Sequence, residues 1–291
     1  MTAPLHFSKY QGTGNDFVMI VDLDDERPLG PAEVAALCDR RTGVGADGVI
    51  RLVRGSEGGA RFFMDYANAD GSVAEMCGNG IRCVGALAHE RGLVEEGTFD
   101  VATRAGVKHL ALHLGDDGGV QAVTVGMGPP NFTRSSIPMR GPAWETFLEQ
   151  PFEVGPDLTL TASAVSMGNP HLVLFVDEDP ARYHVGHIGP ALEHDERFPE
   201  GTNVEFARVD GGRIDVRVWE RGSGETMACG SGACAVAVAA NEAGLAPARV
   251  TIRFPGGDVE VERRDDGEVC LTGPARHVFD GTADLEALAR A

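Results

Sequence analysis

Only two lysines, Lys9 and Lys108, stand among the 25 basic residues of this 291-residue chain. Pyridoxal phosphate, the usual helper for chemistry at an amino-acid α-carbon, needs a Schiff-base lysine. Neither lysine has a glycine-rich, phosphate-cradling context, so no cofactor is expected. Positive charge is short overall: 44 acidic residues leave a formal net charge of −19, the reverse of the basic footprint that nucleic-acid binders carry. No apolar run approaches the roughly 20 residues that span a bilayer. The first ten residues, with Pro4, His6 and Lys9, lack the apolar centre of a secretion signal. A cytoplasmic protein without nucleic-acid or membrane partners is the expectation. Six cysteines occur, Cys38, Cys77, Cys83, Cys229, Cys234 and Cys270, and no pair is spaced C-x-x-C. Neither a metal site nor a disulfide framework is therefore expected.

What the chain has instead is a repeat. Cys77-Gly78-Asn79-Gly80 and Cys229-Gly230-Ser231-Gly232 lie 152 residues apart, and each opens a small-residue, apolar stretch that reads as a buried helix. Gly92-Leu93 and Gly244-Leu245 follow at the same distance, and glycine just past a helix is the expected left-handed stop. Upstream, Gly14-Asn15-Asp16-Phe17 faces Gly168-Asn169-Pro170-His171. Downstream, Asp116-Asp117-Gly118 and Asp265-Asp266-Gly267 both read as hairpin turns, and Gly128-Pro129 and Gly273-Pro274 close each copy. Strands are read at 17–21, 49–53, 61–66, 172–176 and 214–219, and further helices at 31–40 and 190–195. The fold class is α+β, with two pseudo-symmetric, strand-rich domains produced by internal duplication. The halves are 1–130, joined by the tail 276–291, and 131–275.

A cysteine at a helix start gains unpaired backbone N–H groups and a partial positive charge, which favour thiolate over thiol. The glycines beside it leave those N–H groups open to a small anion such as a carboxylate. Two such starts facing each other would put one sulfur on each side of a substrate carbon. One would remove a proton as thiolate while the other returned one as thiol. Two adjacent thiols should share one proton, since the second charge is opposed by the first. Cys77 and Cys229 are the expected catalytic pair. Cys83 and Cys234, inside the apolar helices, read as core. Arg221 reads as a carboxylate clamp, and Asn15 and Asn169, placed alike in both copies, as substrate contacts.

At these motifs the sequence resembles the diaminopimelate epimerases over nearly its whole length. The first signature is Ala67-Asn68-Ala69-Asp70-Gly71-Ser72 running into Glu75-Met76-Cys77-Gly78-Asn79-Gly80-Ile81-Arg82-Cys83. The second is Glu220-Arg221-Gly222-Ser223-Gly224-Glu225-Thr226 followed by Ala228-Cys229-Gly230-Ser231-Gly232-Ala233-Cys234. The resemblance implies interconversion of LL- and meso-2,6-diaminopimelate in lysine and peptidoglycan synthesis, and a homodimer. It implies two domains, each a β-barrel-like sheet around a central helix. By the same resemblance Gly78, Asn79, Gly230 and Ser231 contact the α-carboxylate. Asn15, Asn68, Asn169, Asn203, Glu220 and Arg221 orient the substrate, and His171 and Glu220 tune the thiols. One departure is visible: some members carry a glutamine contact where this chain has Gly48. Two other functions compete. A proline or hydroxyproline racemase would use the same two-thiol chemistry, and a redox or metal-binding protein would use the thiols for ligation.

Overall fold

The structure, a computed structural model, describes residues 4–55, 57–155 and 158–288. Along the chain run β1 (Leu5–Gly12), β2 (Asn15–Val21), α1 (Pro31–Cys38), β3 (Gly48–Arg54), β4 (Phe62–Asn68), α2 (Gly78–Glu90), β5 (Thr98–Thr103), β6 (Gly106–Leu114) and β7 (Val120–Gly128). There follow β8 (Gln150–Gly155), β9 (Leu158–Ser166), β10 (Pro170–Phe175), α3 (Val185–Glu193), β11 (Asn203–Asp210), β12 (Arg213–Glu220) and β13 (Gly224–Thr226). The chain ends in α4 (Gly230–Glu242), β14 (Arg249–Phe254), β15 (Gly257–Arg263), β16 (Val269–Gly273), β17 (Arg276–Ala283) and α5 (Leu285–Leu288). Among the described residues no helix is long and apolar enough to cross a membrane.

Two compact units result, Met1–Val125 with Gly273–Ala291, and Gly126–Thr272. In the first, strands neighbour one another in the order β17, β1, β2, β3, β4, β5, β6, β7. The β2/β3 and β4/β5 pairs are parallel and the rest antiparallel. The second runs β8, β9, β10, β11, β12, β14, β15, β16, with β10/β11 and β12/β14 parallel and the rest antiparallel. Order and sense agree at every step, so the fold is α+β with two pseudo-symmetric, strand-rich halves. The tail enters the first unit as β17, along β1.

Each unit lays one helix against its strands, α2 on β1, β2, β6 and β17, and α4 on β9, β10, β11, β14 and β15. Both helices are apolar or small on nearly every face, as befits burial all round. Their ends match in detail. Gly92 and Gly244 take φ of +65° and +70°. Leu93 and Leu245 donate back five residues to Ala88 and Ala240 at 2.8 Å, and the two glycines back three residues to His89 and Asn241. This is the same double-bonded glycine stop twice. The hairpin turns also agree: Gly115 N–H donates to Gly119 at 2.8 Å, and Arg264 N–H to Glu268 at 2.8 Å.

One helix differs from the sequence reading. The expectation of 190–195 assumed that Pro190 opens a helix, as proline often does. Instead α3 spans Val185–Glu193 with Pro190 inside it, started by the carbonyl of His184, which accepts from His187 and Ile188. Trp219 meets this helix so closely that a Cβ on Gly189 would lie 2.5 Å from its ring.

Burial of thiols has a consequence for alkaline stability. Cys83 is fully buried, and burial pushes its thiol up to about 12; burial likewise pushes Cys38 up to about 11. Below about pH 9 both groups are neutral in folded and unfolded chains. Above it the unfolded chain ionises while the folded chain keeps its protons, so stability falls as pH rises. Each such thiol contributes about 1.4 kcal/mol per pH unit in that window. Urea midpoints measured from pH 8 to 10.5 under reducing conditions should fall, and fall less steeply in Cys83→Ala. Identical slopes for parent and variant would contradict this origin.

Candidate active site

In the first unit the chain arrives at Cys77 extended, with φ −134° and ψ +119°, and turns directly into α2. Cys77 is therefore the N-cap, a position normally held by serine, threonine or aspartate. Its sulfur accepts from the backbone N–H of Gly80 at 3.4 Å. Asn15, at the start of β2, places Oδ1 3.5 Å from the sulfur and receives Asn79 Nδ2 at 3.4 Å. Gly78 and Asn79 are buried in the first turn. Asn68 closes β4 opposite Gly48 and donates to Ser72 Oγ at 3.0 Å.

The second unit repeats the arrangement. Cys229 is the N-cap of α4, with φ −123° and ψ +121°, and its sulfur accepts from Gly232 N–H at 3.4 Å. Ser231 Oγ lies 3.5 Å from the sulfur and receives Asn169 Nδ2 at 3.3 Å. Gly230 is buried in the first turn. His171, fully buried, holds Glu205 Oε1 on Nδ1 at 2.7 Å and Asn169 Oδ1 on Nε2 at 3.0 Å. An amide oxygen only accepts, so Nε2 carries hydrogen. Asn203 donates to Pro170 O at 2.8 Å and accepts the N–H of Arg221 at 2.9 Å. The Arg221 side chain is exposed and reaches Glu200 O at 3.0 Å.

Electrostatics separate the two clusters. Burial pushes the Cys229 thiol well above the usual range, and the nearby Glu220 and Glu205 add to the rise. Hydrogen bonds from Ser231 and Gly232 only partly offset it. Glu220 hydrogen-bonds Cys229 and accepts from Thr226 Oγ1. Burial raises its own carboxyl above the ordinary carboxylate value. Pairing register identifies the equivalent positions. Phe17 pairs Gly48 as His171 pairs Asn203, so β3 aligns with β11 and Ile50 with Glu205. A Cβ on Gly80 would lie 2.7 Å from Ile50, and one on Gly232 2.8 Å from Glu205. Under the first turn of α2 lies a hydrocarbon, and under that of α4 a buried acid.

Three residues that matter here were not singled out from the sequence. Glu205 is a fully buried charge in β11, two residues from Asn203, a spacing that puts both on one face. Arg82 is the only arginine or lysine in α2. Asp47 immediately precedes Gly48 and holds Asn15 Nδ2 at 2.6 Å. Glu225, which precedes the second cysteine, braces Arg217. At Gly48 itself a Cβ would lie 2.6 Å from both Ala67 O and the Tyr66 ring. Tyr66 thus fills the space in which a glutamine would stand. Gly48→Gln should destabilise the protein by about 1–3 kcal/mol through overpacking and leave turnover no higher. A chemical-denaturation midpoint equal to the parent's would refute this.

Comparison with known proteins decides the family. The family profile described as Diaminopimelate epimerase matches residues 7–133 and 163–278. The chain belongs to the diaminopimelate epimerase family. Its relatives include the diaminopimelate epimerase of Leptospira biflexa serovar Patoc, 42% identical over 97% of this chain and 99% of that protein. That of Desulforudis audaxviator is 46% identical over 95% of this chain and 98% of its own. Among solved structures, a probable proline racemase from Agrobacterium radiobacter superposes with a TM-score of 0.70. It is 15% identical and covers 97% of this chain and 93% of that one. At that identity the likeness is one of fold.

Proposed function

We infer that this family member interconverts LL- and meso-2,6-diaminopimelate without a cofactor, using Cys77 and Cys229 as its acid–base pair. The observation that carries the reading is the matched N-cap: in each duplicated unit a cysteine begins the buried helix with its sulfur on the N3 amide. An N-cap sulfur is pre-set to bear charge, because helix-start amides stabilise the thiolate. The bare amides of Gly78, Asn79, Gly230 and Ser231 receive the substrate α-carboxylate, which lowers the energy of a carbanion-like transition state. Asn15, Asn68, Asn169, Asn203, Glu220 and Arg221 orient the substrate, with Arg221 on the distal carboxylate.

In each turnover one sulfur takes the α-proton from one face, and the other delivers its own to the opposite face, leaving the pair with one proton. The roles are exchanged for the reverse reaction. Burial and two carboxylates beside Cys229 oppose its ionisation. His171 and Glu220 set this balance. We assign domains 1–130 with 276–291, and 131–275, to a homodimeric cytoplasmic enzyme of lysine and peptidoglycan synthesis.

Pure protein incubated with the LL isomer in deuterated water should yield meso product with one deuterium at a single α-carbon. No exchange under reducing conditions would sink the reading. Turnover of proline or hydroxyproline that survives Arg221→Ala would replace it with the racemase reading, since those substrates have no distal zwitterion.

A further inference from the structure

Beside Cys77 runs a hydrogen-bond chain with a charged group at each end. Arg82, fully buried, donates from Nη2 to Thr13 Oγ1 at 3.0 Å. Thr13 donates its hydroxyl hydrogen to Asn79 Oδ1 at 3.3 Å. Asn79 Nδ2 donates to Asn15 Oδ1 at 3.4 Å, and Asn15 Nδ2 donates to Asp47 Oδ2 at 2.6 Å. A guanidinium can only donate and a carboxylate can only accept. Every link between them therefore has a single polarity, and neither amide can turn over without setting like against like.

Both ends are tied down. Arg82 also donates from Nη1 to Gly78 O at 3.0 Å and from Nε to Pro274 O at 3.3 Å. Asp47 receives Arg40 at 2.7 Å and the backbone N–H of Asp16 at 3.1 Å. Arg40 also bonds Asp16 at 2.6 Å, and Asp16 pairs with the buried Lys9 at 2.6 Å. Burial alone would raise the Asp16 carboxyl, but Arg40 and Lys9 hold it down at about 2. Thr13 reaches its place in the chain with φ +52°, a left-handed conformation unfavourable for a β-branched residue.

We propose that Asp47 and Arg82 are positioning residues for Cys77: together they hold the Asn15 amide with its carbonyl oxygen, not its NH2, toward the sulfur. The sulfur lies 3.5 Å from that oxygen with S–H as donor. An acceptor at that place suits a thiol and opposes a thiolate, and an NH2 would do the reverse. The equivalent asparagine of the second unit is set the other way. Asn169 gives its oxygen to His171 and its NH2 to the helix-start residue Ser231. The difference lies in the anchor, a carboxylate for Asn15 and a ring N–H for Asn169.

The proposal deepens the two-thiol reading, and its test needs no substrate. Cys77 is alkylated with iodoacetamide at pH 7.5 and followed by peptide mass spectrometry in the parent, Asp47→Asn and Thr13→Val. In Asp47→Asn residue 47 can donate, the Asn15 amide turns over, and Cys77 should react about tenfold faster, the effect of one unit in thiol ionisation. Thr13→Val cuts the two amides off from Arg82 without changing any charge. It should speed Cys77 in the same direction, by about threefold or more on the same scale. Unchanged rates in both variants would overturn the proposal. Acceleration in Asp47→Asn alone would also overturn it, because loss of a negative charge would then be sufficient. If Asp47→Asn does not fold, Thr13→Val decides. Absence of epimerase turnover in the parent would remove the proposed function and leave the alkylation result standing.

Discussion

Alanine at Cys77 or at Cys229 lowers kcat by about four orders of magnitude or more, while the protein stays folded. A positioned acid or base contributes roughly 10²–10⁴ to a proton-transfer step, and inversion needs one on each face. Losing either sulfur removes inversion whichever isomer is supplied. The remaining thiol can still take a proton from its own face and return one there. Each variant should therefore show slow α-proton exchange with solvent that retains configuration. The cost to the fold is that of one N-cap acceptor, about 1 kcal/mol, too little to unfold a helix packed against several strands. Turnover and deuterium incorporation measured together separate the two events. Epimerisation within tenfold of the parent by either variant would end the two-thiol mechanism.

Replacing Arg82 with methionine has the largest expected effect on stability. Its side chain is fully buried and donates to Gly78 O, Thr13 Oγ1 and Pro274 O. Methionine fills similar space but offers no donor, so these acceptors lose their bonds in a site closed to water. An unsatisfied buried polar group costs about 1–3 kcal/mol, and the combined loss is about 3–5 kcal/mol, near the upper end for a single substitution. The melting temperature should fall by roughly 10 °C. Thermal unfolding of the variant with a midpoint within 3 °C of the parent, an allowance of about 1 kcal/mol, would show that Arg82 carries no such burden.

Arg82 lies beyond the reach of local sequence signals. The duplication was legible because it rests on residues with local consequences. Glycines stop helices, aspartate-glycine turns join strands, and cysteine followed by Gly-x-Gly leaves an open helix start. Those signals placed the two long helices, their stops and the hairpins. Pro190 misled because the rule that puts proline at a helix start is local, whereas α3 is fixed by its packing on Trp219 and β12. Arg82, Asp47 and Glu205 were not singled out for a related reason. Their partners lie 69, 32 and 34 residues away in sequence, and no periodicity announces a bond across that separation. The anchoring of Asn15 by a carboxylate, and of Asn169 by an imidazole, could be seen only once the strands were aligned.

The pairing of β17 with β1 bears on how the polypeptide acquires its shape during synthesis. The unit Gly126–Thr272 is one continuous stretch and can close as soon as it leaves the ribosome. The unit that begins emerging first must hold the flank of β1 unsatisfied until residues 276–283 are made, because an open strand edge is completed only by its partner. The half translated first is thus finished last. Cutting the gene short of β17 should leave that flank free to recruit other chains.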